Sequence, residues 1–282
     1  MTPLETVPIS EISTFKNSGE IERLVIFNEL SSLSEFVKTE SRFFVLGKGS
    51  NTLINPRSDN KCFIKLSPTL TEESVNGTLM SLPAGMSGNK ALKLAQLHGL
   101  SGLEFIAGVP TTVGGMVAMN FGCWGHEFAD VIERVHVMDR DGKTEWVQKD
   151  EFAFAYRSSA VEEKEWVVLD VALKLVKEAP LKIHKRAQEN IHLRLSKQPL
   201  RENTFGSVFK NPPNDFAGRI IESLGYKGSP FRKFIKMSDA HANFMVNEGS
   251  GTYDDALALI QEIQSRTKSE LGIDLALEVK LA

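Results

Sequence analysis

The chain has 282 residues, 41% hydrophobic and 24% charged, which is enough apolar material for a sizeable core and long enough for two or three domains. Its 33 basic and 36 acidic residues leave a net charge of -3, so there is no global attraction to nucleic acid or to an anionic membrane. Any anionic ligand has to be held by a local cluster of Lys, Arg and backbone N–H groups.

In chain order, ERLVIF reads as a strand and SSLSEFVKTE as a helix begun by serine caps. RFFVLGKGSN is a strand running into a glycine turn, and KCFIKL is another strand. NKALKLAQLHGL, residues 89 to 100, has helical apolar spacing and stops at Gly99. A glycine-rich loop, residues 101 to 127, precedes the strands VIERVHVMD, KTEWVQ and EWVVLDVALKLV, with Asp141-Gly142 as a hairpin signal between the first two. KEAPLKIHKRAQENIHLRLSKQP is a basic helix ended by Pro199. GSVFKNP follows, then a helix over AGRIIESLG, the strand HANFMVN, the helix DDALALIQEIQSRTKSELG and a closing strand LALEVKLA.

Cys62 and Cys123 are too few for a disulfide scaffold and lie in no CxxC or zinc spacing, so they read as reduced cytosolic thiols and no metal site is expected. The segment MTPLETVPISEIS lacks the basic and apolar regions of a secretory signal, and no apolar run approaches the ~20 residues of a membrane span. A cytoplasmic protein with no membrane insertion is expected. Lys182, Lys185, Arg186, Arg194 and Lys197 on the basic helix read as a solvated face and not as a nucleic-acid patch, since no stacking aromatics interleave.

Two glycine segments could carry chemistry. In VLGKGSN a strand delivers Gly47 and Gly49, which can turn with φ > 0 and present successive N–H groups to an anion, with Ser50 and Asn51 as side-chain donors. It is neither a Walker loop nor GxGxxG, and a plain tight turn is the competing reading. The second, SGLEFIAGVPTTVGGMVAMNFGCWGHE, is polar yet nearly uncharged until Glu127. It suits a backbone-lined cleft for a large phosphate-bearing cofactor, or else a run of turns packed on a sheet.

GLSGLEFIAGVPTTVGG, MNFGCWGHEFAD, AYRSS, GSVFKNPPNDFAGRIIESLGYKG, HANFMVN and LALEVKL occur in this order. With the two glycine loops, they resemble the UDP-N-acetylenolpyruvoylglucosamine reductase family in its shorter form. The resemblance runs from about residue 14 to the end. It is most specific over residues 98 to 130 and 198 to 247.

The family resemblance implies an α+β fold: a two-lobed FAD-binding domain of the vanillyl-alcohol-oxidase type over residues 1–68 and 69–178, then an α+β UDP-sugar domain over 179–282. It implies a monomer that binds no nucleic acid and reduces UDP-N-acetylglucosamine enolpyruvate, with hydride passing from NADPH through FAD to the vinyl carbon. The charge left α to a carboxylate then needs hydrogen-bonding partners and a proton.

By the motifs, Ser207 is the proton donor, Arg157 pairs the substrate carboxylate, and Glu278 helps stabilise the enolate. FAD contacts are implied at Gly47, Lys48, Gly49, Ser50, Asn51, Thr112, Gly114, Gly115, Asn120 and Gly122. Substrate contacts are implied at Tyr156, Lys210, Asn211 and His241. From residue chemistry alone, Ser207 reads as a turn serine, Arg157 as a surface arginine and Glu278 as the solvent face of a strand. His241 reads equally as a structural histidine. Another FAD-linked oxidoreductase of this fold, or a non-catalytic UDP-sugar binder, remains as an alternative.

The chain departs from the family pattern at STFKNSG, with Lys16 in place of an arginine and one glycine fewer. It departs again at Thr111, where a β-branched residue disfavours φ > 0, and at Phe121, Cys123 and Trp124 in the cleft wall.

Overall fold

The computed structural model describes residues 2–4, 6–57 and 61–282. The chain forms two compact units. The first contains Arg23–Lys48 and Asn60–His192 with the N-terminal strand; the second contains Thr6–Glu22, Gly49–Asp59 and Leu193–Ala282. Two early segments thus cluster with the C-terminal third, a grouping that a reading by contiguous segments does not show.

Two larger sheets lie in the first unit. In one, Leu24–Phe27, Cys62–Leu66 and Phe43–Val45 run parallel, and Thr2–Leu4 pairs antiparallel with Leu24–Phe27. Helix Leu30–Thr39 covers one face, with Leu33 and Val37 buried one turn apart against Val25, Phe27, Cys62 and Ile64. The expected serine caps are not used. The N-cap is Glu29 in extended backbone with no side-chain cap bond, and Ser31 and Ser32 lie inside the first turn.

The second sheet is antiparallel, in the order Thr144–Gln148, Ile132–Met138, Val167–Lys174, Leu79–Pro83, Ser74–Asn76. The Asp141-Gly142 signal is a hairpin turn, with Gly142 at φ +70°. Val167–Leu173 is buried at every position because it serves two cores. Val167 and Leu169 join Phe27 and Leu33, while Val171 and Leu173 join Met80, Leu82, Val113 and Met116. This is why its sequence shows a near-continuous apolar run. The polar exception, Asp170, is buried and satisfied by His136 Nδ1 at 3.0 Å and by the Thr71 hydroxyl.

The glycine-rich segment is not a plain loop. It contains a 3-10 turn, Glu104–Ile106, a helix, Val113–Ala118, and a small hairpin pairing Gly122–Cys123 with His126–Glu127. Its Val113, Met116 and Val117 are buried, and this packing supplies the structure that glycine content obscures.

The second unit has an antiparallel sheet in the order Asn203–Ser207, Phe244–Asn247, Ile235–Met237, Pro230–Arg232. Helices Ala217–Ser223 and Tyr253–Leu271 bury Ile220, Ile221, Leu259, Ile260 and Ile263 against Phe205, Phe209 and Met245. The long helix starts on a Thr252/Asp255 capping box and ends at Gly272, φ +70°. The expected closing strand is shorter than its alternation suggests. Lys280–Leu281 pairs parallel with Thr52–Leu53, and Leu277 bridges Phe209. The basic helix spans Pro180–Lys197, but its face is not uniformly solvated. Arg194 is 4% exposed, and Arg186 binds buried Glu104 at 2.7 Å.

Candidate functional site

In the first unit the two glycine segments meet. A Cβ on Gly47 would lie 2.6 Å from Thr112 Oγ1, so only glycine lets the first loop rest on the second. Thr112 is the N-cap of Val113–Ala118, and its hydroxyl accepts from Gly115 N–H at 3.2 Å. Val113 and Gly114 donate to the carbonyls of Met86 and Ala84 at 2.9 and 2.8 Å. The start of this helix is therefore internally satisfied, and Gly114 packs against Ala84, where a Cβ would come within 2.9 Å of that side chain.

By contrast, the backbone N–H groups of Gly47 and Lys48 donate to no protein acceptor among the described residues. Gly49 has φ +62°, and its carbonyl accepts from the Thr14 N–H at 3.2 Å. Such a run of unused donors fits a phosphate group.

Asn120 is fully buried at φ +40° and works as a brace. Its Nδ2 donates to Glu127 Oε2 at 2.9 Å and to the Ala155 carbonyl at 3.0 Å, while its Oδ1 accepts from Ala129 N–H at 3.0 Å. The brace ties the Gly122–Glu127 hairpin to a two-residue turn, Tyr156-Arg157, closed by paired bonds between Ala155 and Ser158. Arg157 sits at φ +54°, donates from Nη2 to the Gly122 carbonyl at 2.7 Å, and lies 5.0 Å from the centre of the half-exposed Tyr156 ring. A Cβ on Gly122 would meet the His126 carbonyl at 2.7 Å and Arg157 Nη1 at 3.2 Å. Thr111 does not adopt φ > 0, so its β-branch is accommodated; Lys16 and Trp124 do, at +55° and +56°. Cys123 Sγ donates to the Phe105 carbonyl at 3.1 Å.

In the second unit, GSVFKNP leaves the sheet edge through an irregularity between Thr204 and Ser207. Gly206 has φ +83°, and its N–H donates to Thr204 Oγ1 at 3.1 Å. Ser207 is half-buried, while Val208 and Phe209 are buried in the core. The Val208 carbonyl accepts from Glu278 N–H at 2.9 Å and Val279 N–H at 3.3 Å. Asn51 completes the cluster, since its Nδ2 donates to the Glu278 carbonyl at 3.0 Å and its carbonyl accepts from Lys280 N–H at 3.0 Å. Asn51, Val208 and Glu278, far apart in sequence, are thus joined by hydrogen bonds, with Ser207 next to Val208 in the chain.

Lys210 N–H donates to the Ala276 carbonyl, and Asn211 Oδ1 accepts from Ala217 N–H at 3.0 Å at the start of the following helix. His241 is a hydrogen-bonded histidine. Its Nδ1 accepts from Asn243 N–H at 3.2 Å, and burial pushes its pKa down, favouring the neutral ring. Asn243 clamps the Phe209 backbone with bonds of 3.0 and 2.8 Å. Sequence reasoning missed Thr14, whose hydroxyl bonds the Thr204 carbonyl at 2.7 Å and so steadies the approach to Gly206. The signal was the ST pair in STFKNSG. Among the described residues no group of three His, Cys, Asp or Glu side chains could hold a metal ion, and no helix is long and apolar enough to cross a membrane.

Residues 198–282 match the family described as UDP-N-acetylenolpyruvoylglucosamine reductase, C-terminal domain, and residues 28–148 match an FAD binding domain. The UDP-N-acetylenolpyruvoylglucosamine reductase of Caldanaerobacter subterraneus subsp. tengcongensis is 36% identical over 278 residues, 97% of this chain and 91% of that protein. A Streptococcus pneumoniae enzyme of the same name is 35% identical, covering 97% of this chain and 92% of its own. The crystal structure of the Thermus caldophilus reductase superposes with a TM-score of 0.85 at 32% identity, covering 100% of this chain and 99% of that one. The fold is α+β with an FAD-binding domain. The chain belongs to the UDP-N-acetylenolpyruvoylglucosamine reductase family and is a flavin oxidoreductase.

Proposed function

We propose that the chain reduces UDP-N-acetylglucosamine enolpyruvate to UDP-N-acetylmuramate for peptidoglycan precursors, with FAD bound and NADPH as co-substrate. The observation that carries this reading is the hydrogen-bonded cluster of Asn51, the Ser207–Val208 segment and Glu278. Core packing accounts for Val208 and Phe209 but gives no reason for a hydroxyl and a carboxyl to be held beside them.

The residues fit FAD. The unused N–H donors of Gly47 and Lys48 suit its diphosphate, and the segment from Thr112 to Gly122 offers a wall of small residues and backbone. Bound FAD would supply the hydride chemistry between nicotinamide and vinyl carbon. The chain's own part is positioning and proton supply. Arg157 holds the substrate carboxylate, where its planar fork is suited to two oxygens. Ser207 carries a proton for the carbon next to that carboxylate, and Glu278 adds a hydrogen-bonding group for the enolate. Serine is a poor acid, so its contribution depends on being held close to the developing charge.

Residues 179–282 would receive the UDP-sugar, with Lys210 and Asn211 toward the diphosphate and Tyr156 and His241 as further contacts; residues 1–68 and 69–178 would hold the flavin. The proposed enzyme works as a monomer in the cytoplasm, a compartment where thiols such as those of Cys62 and Cys123 stay reduced.

The test is product identification. Incubation with NADPH and the enolpyruvate should consume NADPH and yield UDP-N-acetylmuramate by mass spectrometry in equal amount. A yellow protein that oxidises NADPH without altering the enolpyruvate would instead be another flavin oxidoreductase. A colourless one that binds the sugar and consumes no NADPH would be a binding protein.

A further inference from the structure

The pairing of Asn203–Ser207 with its neighbour is interrupted just before Ser207. Asn203 and Thr204 lie opposite Asn247 and Val246, the register then shifts, and Ser207 comes opposite Phe244. Gly206, at φ +83°, lies within the irregularity. The partner strand begins at Phe244, so past Ser207 no strand remains on that side to hold the chain. Asn243 takes over there with three bonds. Its carbonyl accepts from the Val208 N–H at 2.9 Å, its Oδ1 accepts from the Phe209 N–H at 3.0 Å, and its Nδ2 donates to the Phe209 carbonyl at 2.8 Å. A side-chain amide has the donor and acceptor of a peptide unit, so Asn243 continues the ladder with its side chain.

The other side of the same stretch is held by backbone. Glu278 and Val279 donate to the Val208 carbonyl, Lys210 donates to the Ala276 carbonyl at 2.8 Å, and Phe209 bridges Leu277. Val208 and Phe209 are therefore fixed between Asn243 and the chain that carries Glu278, and Ser207 is the residue next to them. Asn243 is fixed in turn. Its N–H donates to His241 Nδ1 at 3.2 Å, and the Phe244 N–H donates to the His241 carbonyl at 2.9 Å. Asn243 is 3% exposed, in a place where packing alone calls for an apolar side chain. An amide bound to both polar groups of one residue sets the rotation of that peptide as well as its depth, which packing does not.

We propose that Asn243 is a positioning residue for Ser207: by clamping Val208 and Phe209 it fixes where the Ser207 hydroxyl stands relative to Glu278, and it acts on proton delivery through Ser207 alone. The reaction it serves rests on the function proposed above. Asn243 itself touches no reacting atom in this account.

The experiment uses the full chain with FAD bound and compares wild type, Asn243→Ala, Ser207→Ala and the double variant without oxygen. Flavin reduction by NADPH should stay within about twofold of wild type in all four, while reoxidation by UDP-N-acetylglucosamine enolpyruvate should slow roughly 10- to 100-fold in Asn243→Ala. In the Ser207→Ala background the same substitution should slow reoxidation by less than about twofold, because the group it positions is already gone. Amide hydrogen exchange over residues 206–210 should quicken in Asn243→Ala, with the helix Tyr253–Leu271 keeping its wild-type rates. Asn243→Asp, of the same size and still an acceptor for the Phe209 N–H, stands in if the alanine variant does not fold; the same pattern is expected with a smaller loss.

Unchanged reoxidation in Asn243→Ala overturns the proposal. So does an equal slowing of both half-reactions, or a loss that multiplies in the Ser207→Ala background, since either would make Asn243 a residue of general stability. If wild type is not reoxidised by the enolpyruvate, the proposed reaction fails and amide exchange decides the clamp. A rise confined to residues 206–210 upholds Asn243 as the residue that holds the Ser207 segment; unchanged exchange refutes it.

Discussion

Arg157 donates to the Gly122 carbonyl at 2.7 Å from a backbone held at φ +54°. A non-glycine residue in the left-handed region costs roughly 1–2 kcal/mol, which glycine would avoid. The side chain at 157 therefore has to offset a backbone penalty. Arg157→Gly is expected to change unfolding free energy by no more than about 1 kcal/mol, since relief of φ strain opposes the lost hydrogen bond. Turnover of the enolpyruvate should fall at least ~100-fold, because the cation proposed to pair with the substrate carboxylate is gone. Denaturant titration and steady-state kinetics on the same samples separate the two effects. A stability loss large enough to account for the activity loss would make Arg157 structural.

Asn120 should behave in the opposite way. Its side chain makes three hydrogen bonds in full burial, and truncation leaves the Ala155 carbonyl and Ala129 N–H without those partners. Asn120→Ala should lose about 3 kcal/mol of stability, with the positive φ adding to the cost of unpaired groups. The variant that still folds should show reduced activity because the turn carrying Arg157 is untied. An unchanged midpoint in urea would contradict this role.

Glu104 gives a pH signature. Burial pushes its pKa up, but the Gly102 N–H, the Arg186 guanidinium and the Ser101 hydroxyl outweigh burial and hold it below the usual carboxylate range. A carboxyl whose folded pKa is depressed stabilises the fold above its unfolded pKa of about 4.3, and that contribution disappears as pH falls through the folded value. Glu104→Gln should cost roughly 1–2 kcal/mol at neutral pH, a modest figure because Arg186 is partly exposed. The gap between wild type and variant should narrow below about pH 4. Paired denaturation curves across that range check it, and a gap independent of pH would show that the charge is not the source.

Much of the fold was legible wherever local pattern and tertiary packing agree. The hairpin at Asp141-Gly142 and the helix from Thr252 to Gly272 carry their own turn and cap residues. The pairing of Thr52–Leu53 with Lys280–Leu281 carries no such mark, being a two-residue parallel contact between segments far apart in the sequence. The alternation of LALEVKLA predicts a longer strand. Glycine content hid the Val113–Ala118 helix, whose burial compensates for low propensity. Ser207 and Glu278 lie in separate motifs, GSVFKNP and LALEVKL, and no sequence signal shows that the Val208 carbonyl accepts from the Glu278 N–H. Asn120 carries no sequence mark of its bracing role, in which both hydrogens of its amide go to Glu127 and Ala155.

The measurement that tests the central claim is anaerobic flavin spectroscopy on wild type and Ser207→Ala. Both proteins should carry FAD and bleach on adding NADPH, because the role proposed for Ser207 is proton delivery and not flavin binding. On adding UDP-N-acetylglucosamine enolpyruvate, wild type should reoxidise promptly, and Ser207→Ala should do so roughly 100- to 10,000-fold more slowly. Reoxidation at the same rate in both would contradict the role given to Ser207, and a bleached wild type that ignores the enolpyruvate would contradict the reaction itself.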